Sequence, residues 1–160
     1  MGSNTAMKNQ TVEASMLIHR PPGEVFAAFV NPQTLRKFWL TDASGPLAPG
    51  ARVQWQFMVP GATARVTVTR FEAPRHLAFN WDEAMHVDMR FEPFGDGATH
   101  TSVRVSGFEG ADALAEATGT VEGFAIVLCD LKTLLETGES ANLVRDKAAL
   151  IVAAQAARGG

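Results

Sequence analysis

His86 and Asp88 stand two residues apart, so on a strand both side chains leave the same face, as the first two ligands of a metal site would. The intervening and flanking residues Val87, Met89 and Phe91 are apolar. They claim the buried face, and His86, Asp88, Arg90 and Glu92 are expected to face water. Metal sites draw on three or four ligands, no partner for the pair is evident, and no metal is assigned. Gly95-Asp96-Gly97 is a fragment of a dinucleotide fingerprint without its third glycine or its helix, and it reads as a hairpin turn. Ser106-Gly107 lacks the preceding Gly-x of a nucleophile elbow, and there is no phosphate loop and no His-Glu-x-x-His. His19 beside Arg20, His76 at the start of a strand and His100 beside a hairpin read as solvated histidines rather than general bases, although imidazoles titrate near neutral pH. Cys129, between Leu128 and Asp130, has no adjacent lysine or histidine to activate it and reads as a small packing hydrophobe. No catalytic residue and no cofactor is assigned.

The aromatic residues carry more information. The chain has 10 Phe and 3 Trp but no Tyr, so chemistry that steers enol or phenol protons would fall to His, Asp, Glu, Arg or water. On alternating strand positions Trp55, Phe57, Phe79, Trp81 and Phe91 share one face, and Phe26, Phe29, Trp39 and Phe124 come from helical segments. An ordinary core would use them in this way. A sheet that curves around a helix also leaves volume between the two, and apolar pockets with few polar groups are typical ligand sites. The candidate ligand-binding residues are Phe26, Trp39, Trp55, Phe57, Phe79, Trp81, Met89, Phe91, Phe124 and Leu128.

These residues must be positioned by regular elements. Thr11 to Ile18 alternates in polarity and predicts a strand; Pro21-Pro22 stops it and opens a helix to Val30. Asn31-Pro32 breaks that helix and caps a second, with Leu35, Phe38 and Trp39 on one face. Residues 42–51 are rich in Gly and Pro and read as a loop. Five alternating runs follow, centred on Trp55, Val66, Phe79, Met89 and Val103, with Pro60-Gly61, Ala73-Pro74, Asp82-Glu83 and Gly95-Asp96-Gly97 as turns. They predict an antiparallel meander with one apolar face. Val121, Phe124, Leu128, Leu131 and Leu135 then mark one long helix, which Gly138 ends in a left-handed conformation, and Ala141 to Ala157 reads as a further helix. Its run Ala148 to Val152 is too apolar to stay solvated, so it is expected to pack on its own domain or on a second copy. The expected organisation is a disordered tail or cloning remnant over residues 1–10, one domain over 11–139 and a helical extension over 140–160.

Composition narrows the class. A chain of 160 residues can bury one real core. With 14 basic and 17 acidic residues it has a net charge of −3, which offers nothing to neutralise phosphates, so no nucleic-acid partner is expected. The N-terminus carries only Lys8 among its first ten residues, and Met16-Leu17-Ile18 is too short for an export or membrane segment. The single cysteine suits a reducing compartment, and a cytoplasmic location is expected.

The order strand, two short helices, meander and long C-terminal helix resembles the helix-grip fold of the START-like (SRPBCC) superfamily, an α+β architecture in which a curved antiparallel sheet wraps a long helix. Local motifs resemble the branch named after the activator of heat-shock-protein-90 ATPase: Pro22-Gly23-Glu24-Val25-Phe26, Phe38-Trp39-Leu40-Thr41 at the end of the second helix, Pro49-Gly50-Ala51 before the Trp55 strand, Ser106-Gly107-Phe108 and Leu134-Leu135-Glu136-Thr137-Gly138. Where that branch often carries a tryptophan in the first turns of the long helix, this chain has Val121-Glu122-Gly123-Phe124. The resemblance implies a cavity between sheet and long helix. The leading expectation is a binder of a small hydrophobic or amphipathic molecule, without catalysis. The alternatives are a co-chaperone-like interaction domain with a chaperone partner, or a polyketide cyclase-like enzyme; a homodimer is the other assembly to consider.

Overall fold

The structure is a computed structural model that describes residues 10–159. The tail expected at the N-terminus falls almost wholly on residues 1–9, outside the described residues. In chain order the elements are β1 (Thr11–Ile18), α1 (Pro22–Val30), α2 (Pro32–Phe38), β2 (Leu40–Ala43), β3 (Arg52–Phe57), β4 (Thr63–Glu72), β5 (His76–Trp81), β6 (Met85–Phe94), β7 (Ala98–Ser106), α3 (Ala113–Thr137) and α4 (Leu143–Gly159). The seven strands form one sheet in the order β1-β7-β6-β5-β4-β3-β2, and every neighbouring pair is antiparallel. Together with the long helix this is the α+β helix-grip architecture.

Polarity alternation decides which face closes. Val53, Trp55, Val66, Val68, Leu77, Phe79, Val87, Met89, Phe91, Val103 and Val105 are all buried, whereas their alternates carry the charges. Across this inner face lies α3, whose Phe124, Val127, Leu128, Leu131 and Leu134 are buried against it. The short helices close one end: Asn31 Oδ1 accepts from the Gln33 N–H at 2.9 Å and caps α2, and Val25, Phe26, Phe29, Leu35 and Phe38 are buried. The far end of α3 is fastened to the edge strand. Lys132 Nζ donates to the Leu17 carbonyl and to Glu136, each at 2.7 Å, and Glu136 also accepts from the His19 N–H at 2.7 Å. Gly138 ends the helix at φ +90°, its N–H donating to the Leu134 carbonyl, which is the left-handed cap that glycine adopts without cost.

Two expectations about the elements need correction. Residues 42–51 are not loop throughout: Leu40–Ala43 pairs with β3 as the edge strand β2, so α2 ends at Phe38 and the Phe38-Trp39-Leu40-Thr41 motif spans a helix end and a strand start. The pairing slips between Leu40 and Asp42, and the burial pattern is in-out-out-in. A bulged strand of this length has no period-two signature. The apolar run of α4 is also less buried than expected. Ala148 is buried, but Leu150 is 67% exposed and Val152 is exposed as well. Among the described residues no helix is long and apolar enough to cross a membrane.

Candidate ligand-binding cleft

The inward face of α3 changes character along its length. From Leu128 onward it is solid core. Toward its N-terminus the same face presents Glu116, Gly119, Thr120, Gly123, Phe124 and Val127, at the three- and four-residue spacing that stacks side chains on one side of a helix. These residues look into a cleft of about 490 Å³. The sheet side of the cleft consists of Phe57, Met58 and Val59 at the end of β3, Trp81 and Met85 around the β5–β6 turn, and Val105 and Phe108 at the end of β7, with Trp39 from the α2–β2 junction. The remaining wall is α4, through Val144, Lys147, Ala148 and Ile151.

Trp39 joins the cleft to the core. Its ring lies 5.0 Å from Trp55, 5.5 Å from Phe124 and 6.1 Å from Trp81, centroid to centroid. Beside it Phe57 and Trp81 stack at 5.1 Å with their planes 7° apart. Polar side chains in the wall are few: Glu116, Thr120 and Lys147. The Thr120 hydroxyl donates to the Glu116 carbonyl of its own helix, and Lys147 Nζ is 2.9 Å from a Glu122 carboxylate oxygen. That ion pair ties α4 to α3. A second tie sits at the corner between them, where the buried Asp130 carboxylate accepts from the Ser140 hydroxyl at 2.9 Å and the Ala141 N–H at 3.0 Å.

Of the ten candidate residues, Trp39, Phe57, Trp81 and Phe124 line this cleft. Phe26, Trp55, Phe79, Met89, Phe91 and Leu128 do not; they are buried in the packed core. The sheet presses closely on α3 beyond Phe124, and α1 fills the space near Phe91, where Phe26 meets Phe71 and Phe91 edge to face. Sequence reasoning missed Gly119, Gly123, Met58, Met85 and the whole α4 wall. The 144–147–148–151 spacing of that wall was the signal that could have found it.

The outer face of the sheet holds the histidine chemistry. His86 is exposed and donates from Nδ1 to Asn80 Oδ1 at 2.6 Å, and Asp88 lies beside Arg90. His76 corrects the expectation of a solvated ring, being only 7% exposed. Its Nε2 is 2.7 Å from Asp88 Oδ2, and Arg70 Nη1 is 3.3 Å from its Nδ1. An arginine can only donate, so Nδ1 accepts and the Nε2–H donates to Asp88. Both ring nitrogens are thus engaged by side chains of the sheet. Cross-strand pairing places Glu72 and Arg90 on either side of His76, and their long stems shield it. Among the described residues no three His, Cys, Asp or Glu side chains group as metal ligands. Cys129 is free and half-buried.

Comparison with known proteins agrees with this architecture. The chain is similar to a Staphylococcus saprophyticus protein, SSP2350, of known crystal structure (25% identity, TM-score 0.73, covering 82% of this chain and 95% of that one). It is also similar to the Aha1 dimer from Colwellia psychrerythraea solved in solution (19%, 0.71, covering 82% and 99%). A third similar structure is CalU16 from Micromonospora echinospora (17%, 0.62, covering 91% and 87%). At such identities the last two speak for the fold alone. No curated protein matches the chain. The sequence model of one family, described as activator of Hsp90 ATPase homolog 1-like protein, matches residues 19–136, from the end of β1 to the last turn of α3. The chain therefore belongs to the family of activator of Hsp90 ATPase homolog 1-like proteins, within the START-like superfamily.

Proposed function

We propose that this protein binds a small hydrophobic or amphipathic molecule in the cleft between the sheet, α3 and α4. The observation that carries the reading is the cleft itself. Its volume of about 490 Å³ lies within the range of small-molecule sites, and its wall is aromatic and aliphatic apart from Glu116, Thr120 and Lys147. Binding is then driven by apolar area removed from water, at about 25 cal/mol per Å², and the few polar groups at the wall orient the ligand. Catalysis is not part of the reading: of the two ionisable groups of the wall, Lys147 is held in an ion pair by Glu122, and Glu116 stands at the helix start without an ion-pair partner among the described residues. The family match favours a second reading, an interaction domain of the Hsp90-ATPase-activator type, in which the cleft is incidental.

Titration with Nile red, a neutral apolar fluorophore, separates the two. The parent is expected to bind it with a blue-shifted emission and a raised melting midpoint. Thr120→Trp, which puts an indole into the cleft at a half-buried position, is expected to abolish both effects while the variant stays folded. A parent that binds no Nile red, or a Thr120→Trp variant that binds it equally well, overturns the ligand reading and leaves the interaction domain in the lead.

A further inference from the structure

The wall of the cleft on α3 contains a cost that the chain's own packing does not explain. Gly119 and Gly123 lie inside a helix of 25 residues, where glycine is a poorer helix former than alanine. Glycine can be required by a left-handed backbone, but neither residue has a positive φ. It can be required by a close neighbour, but a Cβ built on either residue meets nothing within 4 Å. Both line the cleft, and being four residues apart they sit one above the other on its side of the helix, roughly 6 Å apart along the axis. The sheet-side wall of the same cleft carries Phe57 and Trp81, stacked on one another at 5.1 Å with their planes 7° apart. The cleft therefore has bare helix backbone on one wall and a stacked aromatic pair on another.

We infer that Gly119 and Gly123 are specificity-determining residues of the cleft, and that the ligand class they select is a rigid, flat ring system which rests on the α3 backbone and packs against the aromatic wall. The inference rests on the ligand-binding reading above and narrows it. A flexible chain can bend around a methyl group projecting from α3. A rigid plate that spans one helical turn cannot, because a methyl at either position holds the whole plane away from the helix. Aromatic walls add the offset-stacked or edge-to-face contacts that ring systems make and alkyl chains do not.

The test compares the parent with Gly119→Ala, Gly123→Ala and the double variant, using 1-aminoanthracene as a rigid planar probe and 1-decanol as a flexible one, both by calorimetry. Without ligand, the alanine variants are expected to melt higher than the parent, since the helix gains and nothing clashes. The planar probe is expected to lose at least tenfold in affinity for the double variant, and decanol to change by less than about threefold. Unchanged affinity for the planar probe overturns the inference, and so does an equal loss for both probes. Alanine variants that melt lower than the parent also overturn it, because the glycines would then serve the fold. If the parent binds decanol but not 1-aminoanthracene, the cleft binds ligands and the flat-ring inference alone fails. If it binds neither, nor Nile red, the ligand-binding reading fails with it.

Discussion

Gly107 ends β7 in the Ser106-Gly107-Phe108 motif, and its replacement by alanine tests how the cleft wall is held. Its φ is +107°, and an added Cβ would stand 2.3 Å from the Ala84 carbonyl oxygen and 3.1 Å from the Met85 Cα. Both neighbours are backbone of the β5–β6 turn, which cannot swing aside as a side-chain tip would. The forbidden φ costs about 1–3 kcal/mol, and moving the turn by roughly 1 Å to restore ordinary contact adds about 1–3 kcal/mol of the kind seen on overpacking. Alanine recovers about 0.4–1 kcal/mol by restricting the unfolded chain. The net expectation is a loss of about 3 kcal/mol. For a chain of this length about 2–4 °C in melting midpoint accompanies each kcal/mol, so the midpoint falls by about 6–12 °C. Gly138→Ala is the control: its φ is also positive, at +90°, but its Cβ meets nothing within 4 Å, so only the backbone part applies, about 1 kcal/mol. Scanning calorimetry on the two variants reads the difference as the steric contribution alone. Because Met85, Val105 and Phe108 all line the cleft, Gly107→Ala is also expected to weaken Nile red binding, whereas Gly138→Ala is not. Midpoints for the two variants within about 2 °C of each other would refute the close-approach argument.

Other outcomes follow from the same geometry. Leu128→Trp, at a position with no exposure and outside the cleft wall, is expected to cost about 1–3 kcal/mol by overpacking in urea unfolding. Deleting residues 141–160 removes Val144, Lys147, Ala148 and Ile151 from the wall and is expected to lower both the melting midpoint and Nile red affinity; an affinity equal to the parent's would show that α4 takes no part in binding. Burial pushes the Glu136 carboxyl up, but the His19 N–H and the Lys132 ammonium outweigh it and hold the group below the usual carboxylate range. A depressed carboxylate stabilises the fold above its unfolded value and loses that contribution as pH falls through the folded one. The stability gap between the parent and Glu136→Gln is therefore expected to be widest near neutral pH and to close in acid, as read by melting curves at stepped pH.

Much of the fold could be read from the chain because it alternates cleanly. Trp55, Val66, Met89 and Val103 each sit between polar neighbours, and hairpin-length links leave an antiparallel meander as the simple solution. Strand β2 escaped because Leu40 and Ala43 point inward with two exposed residues between them. The cleft was legible in kind but not in place. Periodicity tells which face of α3 turns inward, yet Phe124 and Leu128 lie one turn apart on that face, and only the distance between helix and sheet decides which one borders empty space. Gly119 and Gly123 matter through atoms they lack, so a hydrophobicity pattern cannot register them. His76 went astray for a related reason: its partners Arg70 and Asp88 and its cross-strand neighbours Glu72 and Arg90 are contributed by strands whose register is unknown until the sheet is built.

The order of the strands also governs the time course of assembly. Strands β3 to β6 each pair with their successor in the chain, so the meander zips up through short loops. The first strand has no such neighbour: Thr11 pairs with Ser106 and Ile18 with Thr99, a separation of roughly 90 residues whose closure entropy must be met in one step. As the polypeptide leaves the ribosome, the β1 segment therefore waits, unpaired and half apolar, until β7 has emerged, and α3, which is fastened to it through Lys132 and Glu136, emerges later still. The last event to complete the sheet is thus the return of its first-made strand, and conditions that slow the synthesis of residues 99–106 prolong the interval in which that segment is open to aggregation.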